Sequence, residues 1–194
     1  MDPLSVCVYC GSRAGDSPAF AAAAQTLGTE IGRRGWQLVY GGGRSGLMGT
    51  VADAAVAAGA RSVGVIPRSL MEREVGHLGL SELHVVETMH ERKLMMAERC
   101  DAFIALPGGI GTFEELFEVW SWRQLGYHDK PLGLLNVAGY YDTLLEFMQQ
   151  TVARGFVAAP QNDLLQVSDD AAALLDRIAT LIPLATAPDD YRRI

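Results

Sequence analysis

Lysine is nearly absent from this sequence: Lys93 and Lys130 stand beside 14 arginines in 194 residues. Positive charge is short overall, with 16 Lys+Arg against 23 Asp+Glu, a formal net charge of −7, and no basic run longer than two residues. A duplex binder needs a clustered basic footprint to displace counterions, so no nucleic-acid partner is expected. Cysteine is equally scarce. Cys7, Cys10 and Cys100 are odd in number and spread apart, which fits a reducing compartment and not a disulfide framework. No apolar stretch approaches the ~18–20 residues that span a bilayer, and Met1-Asp2-Pro3 opens with an acid where a signal peptide is basic, so a cytoplasmic chain with no membrane partner is expected. Grouped metal ligands are missing too. Cys7-x-x-Cys10 has no second ligand pair and His77, His84, His90 and His128 are scattered, so no metal is expected.

What is present is enough apolar residue, 49% of the chain, to build one sizeable core. Strand-length apolar runs (4–10, 36–40, 61–66, 82–87, 102–106, 132–136, 164–167) alternate with segments of helical period (18–34, 46–58, 90–100, 113–125, 140–154, 169–181). Several of the runs are apolar almost throughout, as in strands covered by helices on both faces. Strict alternation predicts an α/β fold: one domain over residues 1–182, a three-layer, doubly wound, Rossmann-like parallel sheet, with a peripheral tail over 183–194. The stretch from Arg68 to Ser81 lacks periodicity and is expected to be an irregular lid or disordered. Ligands in such sheets bind beyond the carboxyl ends of the strands, so chemistry is sought in the segments just after them.

Two of those segments are rich in glycine and open helices. The first is Gly41-Gly42-Gly43-Arg44-Ser45-Gly46-Leu47-Met48-Gly49. It satisfies G-x-G-x-x-G formally, yet no acid for ribose hydroxyls follows about 20 residues on, and no Lys-Ser/Thr pair follows Gly46 as in a P-loop. Gly41, Gly42, Gly43 and Ser45 are either an additional phosphate loop or a tight turn with close packing. The second is Pro107-Gly108-Gly109-Ile110-Gly111-Thr112-Phe113-Glu114-Glu115. Glycine lets the backbone approach an anion, and the free N–H groups of a helix start attract it. Thr112 and Glu115 also spell a capping box, which by itself would explain both residues as helix-start stabilisers. A third segment, Met89-His90-Glu91-Arg92-Lys93, follows the fourth strand at the same edge and reads either as a solvated charged helix face or as part of a site.

Together these motifs resemble the LOG ("lonely guy") family of cytokinin-activating phosphoribohydrolases, described in older usage as lysine decarboxylase-like. The Pro107–Glu115 run matches the family pattern P-G-G-x-G-T-x-x-E. Further matches span nearly the whole chain: Cys10-Gly11-Ser12, Tyr40–Gly49, Gly64-Val65-Ile66-Pro67, Met89 with Arg92-Lys93, His128-Asp129-Lys130-Pro131 and Gly133-Leu134-Leu135-Asn136. The resemblance implies hydrolysis of the N-glycosidic bond of a nucleoside 5′-monophosphate to free base and ribose 5-phosphate, with no cofactor. Family members act on isopentenyladenine-type nucleotides and commonly on AMP. The catalytic arginine and glutamate of the family fall on Arg92 and Glu115. Substrate-contacting positions fall on Glu74, Arg92, Lys93, Gly109, Ile110, Gly111, Thr112, Phe113, Glu114, Glu115 and Ser121, the last commonly a threonine in the family.

The residue types suit that chemistry. Breaking the bond develops positive charge on the ribose, which a fixed carboxylate stabilises, or the carboxylate orients water. A guanidinium stays protonated, so Arg92 holds the phosphate or ribose or donates to the departing base. A non-catalytic nucleotide-binding or carrier protein is the rival, and would need no Glu115. Lysine decarboxylation would need a Schiff-base lysine, with Lys93 and Lys130 the two candidates. A homodimer is expected mainly from the resemblance, supported by the segment Phe113–Leu125, whose Phe113, Leu116, Phe117 and Trp120 cover more than one face.

Overall fold

A computed structural model describes residues 3–74 and 76–193, with backbone only for 72–74 and 193. Met1 and Asp2, on which the reading of the N-terminus rests, lie outside it. Seven parallel strands, β1 (Ser5–Tyr9), β2 (Gln37–Tyr40), β3 (Ser62–Pro67), β4 (Glu82–Val86), β5 (Ala102–Ala105), β6 (Leu132–Leu135) and β7 (Leu165–Ser168), form one sheet in the order β4-β3-β2-β1-β5-β6-β7. The helices are α1 (Pro18–Arg33), α2 (Gly46–Ala57), α3 (Arg68–Glu74), α4 (Met89–Glu98), α5 (Ile110–Gln124), α6 (Asp142–Ala153), α7 (Ala159–Asn162) and α8 (Ala171–Leu181). Among the described residues no helix is long and apolar enough to cross a membrane.

Strand period two explains the three layers. On β1, Val6 and Val8 join one core with α1, α2 and α8, while Cys7 and Tyr9 join the opposite core with residues of α4, α5 and α6. All five β1 residues are buried, as a central strand covered on both faces requires. The α1 helix meets the sheet through Phe20, Ala24, Leu27 and Ile31, at helical spacing. It starts at Ser17, whose hydroxyl accepts from the Ala19 N–H at 3.3 Å, with Pro18 in the first turn.

Two expectations are corrected. The stretch from Arg68 to Ser81 opens with α3, too short at two turns to display a period in the sequence. Beyond it, residues 76–79 are tied down: the His77 N–H donates to the Gly42 carbonyl at 3.0 Å and His77 Nε2 to Asp53 at 2.8 Å, while Nδ1 accepts from the Gly79 N–H. The tail expected to be peripheral carries Tyr191, buried against Trp122 with the Lys130 ammonium 5.3 Å from its ring centre.

The sheet order positions the site. The chain runs outward from β1 to β4 and returns to β5 on the other side of β1, so the connections after β1 and β5 diverge and open a crevice at the carboxyl edge. One hydrogen bond, from the Gly11 N–H to the Pro107 carbonyl at 3.0 Å, stitches the two connections together at the floor of that crevice.

Candidate active site

The crevice holds a cavity of about 490 Å³. Its walls are the turn that follows β1 (Cys10 to Gly15), the run from Pro107 into α5, Leu47 and Met48 of α2, and the side chains of Arg92, Glu115 and Tyr140.

The helix α5 begins earlier than its apolar period predicts, with Gly109 as N-cap and no side-chain cap. Thr112 is therefore in the third helical position and Glu115 in the sixth, and the Thr112–Glu115 capping box that the spacing allows does not form. Gly109 takes the cap position because the turn is held by its carbonyls: that of Pro107 by the Gly11 N–H and that of Gly108 by the Tyr140 hydroxyl at 2.6 Å. The N–H groups of the first turn, which have no partner within a helix, lie where Gly109, Ile110 and Gly111 line the cavity. A Cβ placed on Gly109 or Gly111 would meet nothing within 4 Å. Packing does not demand glycine at either position, and the bare backbone there leaves room for close approach of an anion. A Cβ on Gly108, by contrast, would lie 2.0 Å from the Thr112 hydroxyl and 2.8 Å from the Gly11 nitrogen.

Thr112 and Glu115 point inward, 3% and 9% exposed, and both line the cavity. Arg92, 6% exposed, enters from α4. Its Nε donates to the Val65 carbonyl at 3.1 Å and Nη2 to the Gly41 carbonyl at 3.0 Å, with the Met89 sulfur 3.9 Å from Nη1. The reading of segment 89–93 as a solvated face thus fails for Arg92 and Lys93, both buried, though it describes His90 and Glu91. Cys10 feels both site charges. Burial raises its thiol pKa, Glu115 raises it further, and Arg92 opposes them. Cys7 and Cys10 lie in opposite cores and cannot act as a pair.

The remaining sequence-predicted residues whose side chains are described are not at this cavity. Lys93 Nζ pairs with Glu114 at 2.5 Å and Glu118 at 2.8 Å; burial lowers its pKa, but the two carboxylates outweigh that and leave it raised. Phe113 packs edge-on against Tyr141 at 6.2 Å, and Ser121 is exposed further along α5. The side chain of Glu74 lies outside those described. Gly41, Gly42, Gly43 and Ser45 do not line the cavity either; the carbonyls of Gly41 and Gly42 serve Arg92 and the His77 N–H, and Gly43 bridges Gly76. Lys130 is bound to Asp189 and the Ala97 carbonyl, so neither lysine reaches the cavity.

Sequence reasoning does not single out Ser12, Arg13, Phe20, Met48 or Tyr140 as site residues, yet all of them line the cavity. The signal for the first two is their place directly after the central strand. Tyr140 has none, because Ala138 at φ 51° and Gly139 at φ 71° turn the chain after β6 to bring it over Gly108.

Comparison with known proteins gives a family and a fold. The family model described as "Possible lysine decarboxylase" matches residues 48–178. A cytokinin riboside 5′-monophosphate phosphoribohydrolase of Arabidopsis thaliana is 47% identical over 178 residues, 92% of this chain and 84% of that protein. One from Oryza sativa subsp. japonica is 48% identical, covering 92% and 74%. Among solved structures, a molybdenum cofactor binding protein from Rippkaea orientalis superposes with a TM-score of 0.72 at 21% identity, covering 94% of this chain and 99% of that one. The molybdenum cofactor carrier protein of Chlamydomonas reinhardtii gives 0.71 at 20%, with the same coverage. At such identity the likeness is one of fold.

Proposed function

The chain belongs to the LOG family of phosphoribohydrolases, and from that premise we propose how its cavity carries out the reaction. The protein is a hydrolase of N-glycosidic bonds, and its substrate is a nucleoside 5′-monophosphate. The 5′-phosphate lies at the first turn of α5, where N–H groups and the helix dipole favour an anion. Glu115 faces the ribose. As the C1′–N bond breaks, its electron pair leaves with the base nitrogen, which takes up a proton, and water adds to C1′ to give ribose 5-phosphate. The carboxylate stabilises the positive charge that develops on the ring or orients the water. Arg92 remains a cation throughout and supplies hydrogen bonds to phosphate, ribose or departing base from the donors its two carbonyl partners leave over.

The observation that carries this reading is that two buried charged side chains from different helices, Arg92 and Glu115, open on the cavity that also receives the uncapped start of α5. A carrier would need the anion site but not the carboxylate beside it. Cytokinin nucleotides and AMP are both proposed substrates. Chromatography of products after incubation with AMP, GMP, CMP, isopentenyladenosine monophosphate and adenosine tests the assignment: free base is expected from the adenine nucleotides and little from adenosine. Equal efficiency on adenosine and AMP would remove the phosphate from the mechanism.

The active form is a homodimer in this proposal. Ile110, Phe117 and Leu125 are 82%, 36% and 57% exposed and share one face of α5 with Glu114 and Ser121, two positions expected to contact substrate yet absent from the cavity of their own chain. A second copy against this face would bury the apolar groups and bring those residues beside a site. Glu74 is proposed as a positioning carboxylate. Sedimentation equilibrium showing only a 20.9 kDa species at micromolar concentration would count against the dimer. A cytoplasmic location is proposed on the strength of three free thiols.

A further inference from the structure

We propose that Gly41 is a positioning residue for the reaction: its carbonyl and its missing side chain form the seat that aims the Arg92 guanidinium into the cavity. The inference rests on the reading of Arg92 as a catalytic group.

A guanidinium is a rigid planar fork, so two hydrogen bonds fix both its position and its plane. Arg92 donates those two bonds to main-chain carbonyls, Val65 in β3 and Gly41 just after β2, the latter 51 residues away in sequence. Carbonyls of a buried strand and of the turn directly after one cannot swing away as side chains do, which makes them firm anchors for a group that must be held while charge develops nearby.

The space around Gly41 is what makes glycine necessary there. A Cβ on Gly41 would stand 1.9 Å from Arg92 Nη2 and 3.1 Å from its Cζ, with the Met48 sulfur next at an ordinary 3.4 Å. The two close neighbours both belong to the guanidinium. Gly41 is also not among the glycines with positive φ, so no left-handed backbone reserves the position for glycine. Its neighbours in the same turn differ. Gly42 has a φ of 74°; a Cβ on Gly46 would come within 2.4 Å of the backbone of Ser12 and Arg13, and one on Gly49 within 2.0 Å of the Arg44 carbonyl. Those three glycines are needed for the fold of the turn. Gly41 is needed for the arginine. An alanine there can be accommodated by the chain only if the guanidinium leaves its place.

The test is a double-substitution cycle on steady-state rates and on the dissociation constant for ribose 5-phosphate, with Gly41→Ala, Arg92→Ala and both together, beside Gly42→Ala as a control. Gly41→Ala is expected to lower kcat by about 100-fold, the order that misplacing a reacting group by an ångström costs, with little change in melting temperature. Added to Arg92→Ala it should change neither rate nor affinity more than about twofold, because the residue it acts through is gone. Gly42→Ala should lower the melting temperature instead, and its effect should persist in the Arg92→Ala background. A Gly41→Ala loss that multiplies with that of Arg92→Ala, or no loss at all, overturns the proposal. If Gly41→Ala fails to fold, the double variant decides: folding restored by removing the guanidinium supports the seat, and continued misfolding overturns it. Wild-type turnover by Arg92→Ala would instead sink the catalytic reading of Arg92 itself, an outcome visible before Gly41 is touched.

Discussion

Two helices of this protein begin near the same four-residue pattern and use it differently. At α4, Thr88 is the N-cap; its hydroxyl accepts from the Glu91 N–H at 3.1 Å, and the Glu91 carboxylate returns to the Thr88 and Glu87 N–H groups at 3.3 and 2.8 Å. The four orphan donors of a helix start are partly satisfied there, and the residues involved are exposed. At α5, Thr112 and Glu115 have the same spacing but sit one to two turns inside the helix, turned into the cavity, and the cap is a glycine with no side chain. Capping at α4 uses the polar groups to close the helix start. At α5 no side chain caps the helix start, and Glu115 lines the cavity instead of reaching back to the first turn.

The sharpest way to break this comparison is Glu115→Gln, which keeps the shape and removes the charge. A fall in kcat of about 100- to 1,000-fold, the scale of losing one electrostatic stabiliser in a transition state, is expected with the melting temperature kept. Full activity would make the two Thr-x-x-Glu sites equivalent after all.

The far end of α5 offers a purely structural contrast. His128, 2% exposed, donates from Nε2 to the Val119 carbonyl at 2.9 Å and accepts at Nδ1 from the Lys130 N–H at 3.1 Å, an arrangement open only to the neutral ring. Burial lowers its pKa from 6.5 to about 4. Below 6.5 the unfolded chain takes up a proton that the folded chain refuses, so stability is full above that pH and falls as pH drops toward 4, by up to about 3 kcal/mol. Denaturant unfolding at pH 7.5 and 4.5 should show this slope, and His128→Asn should flatten it at some cost in stability at neutral pH.

Gly111→Ala probes the open start of α5 more gently. Its methyl meets no protein atom, and alanine favours a helix over glycine, so the melting temperature should hold or rise. The KM for the nucleotide should rise about tenfold, roughly 1.4 kcal/mol, because the methyl keeps the phosphate from the first-turn N–H groups. An unchanged KM would move the phosphate elsewhere. The smallest effect belongs to the cap at α4: Glu91→Ala should cost about 1 kcal/mol, near 2–4 °C in melting temperature for a chain of this size, with activity at 25 °C within about twofold of the parent. A large loss of activity would show that the α4 cap holds Arg92 for catalysis.

The layered fold is legible in the residue pattern. Apolar runs without alternation announce strands covered on both faces, and the helices expected at 18–34, 46–58 and 169–181 match α1, α2 and α8 to within two residues at each end. Arg92, Thr112 and Glu115 emerge through the family resemblance, and the rule that chemistry lies after the strands leads to the edge where the cavity lies. What the pattern misses lies where local spacing and three-dimensional position part company. Thr112–Glu115 satisfies the rule for a capping box and is not one, since Gly109 takes the cap. The glycines of 41–49 match G-x-G-x-x-G formally, yet the carbonyls of Gly41 and Gly42 bind Arg92 and the His77 N–H.

The sequence alone determined what depends on neighbours a few residues apart: the alternation of strand and helix, the buried faces, the acidic charge balance, and the order of the glycine-rich turns. Only the tertiary structure decided which residues share a cavity. Tyr140 reaches Gly108 through a left-handed turn at Ala138, Lys93 turns away from the cavity to Glu114 and Glu118, and Arg92 is held by carbonyls of β3 and of the turn after β2. The physical reason is that periodicity reports which face of an element is apolar, whereas the direction of a polar side chain is set by the partner it meets after the sheet has brought distant segments together.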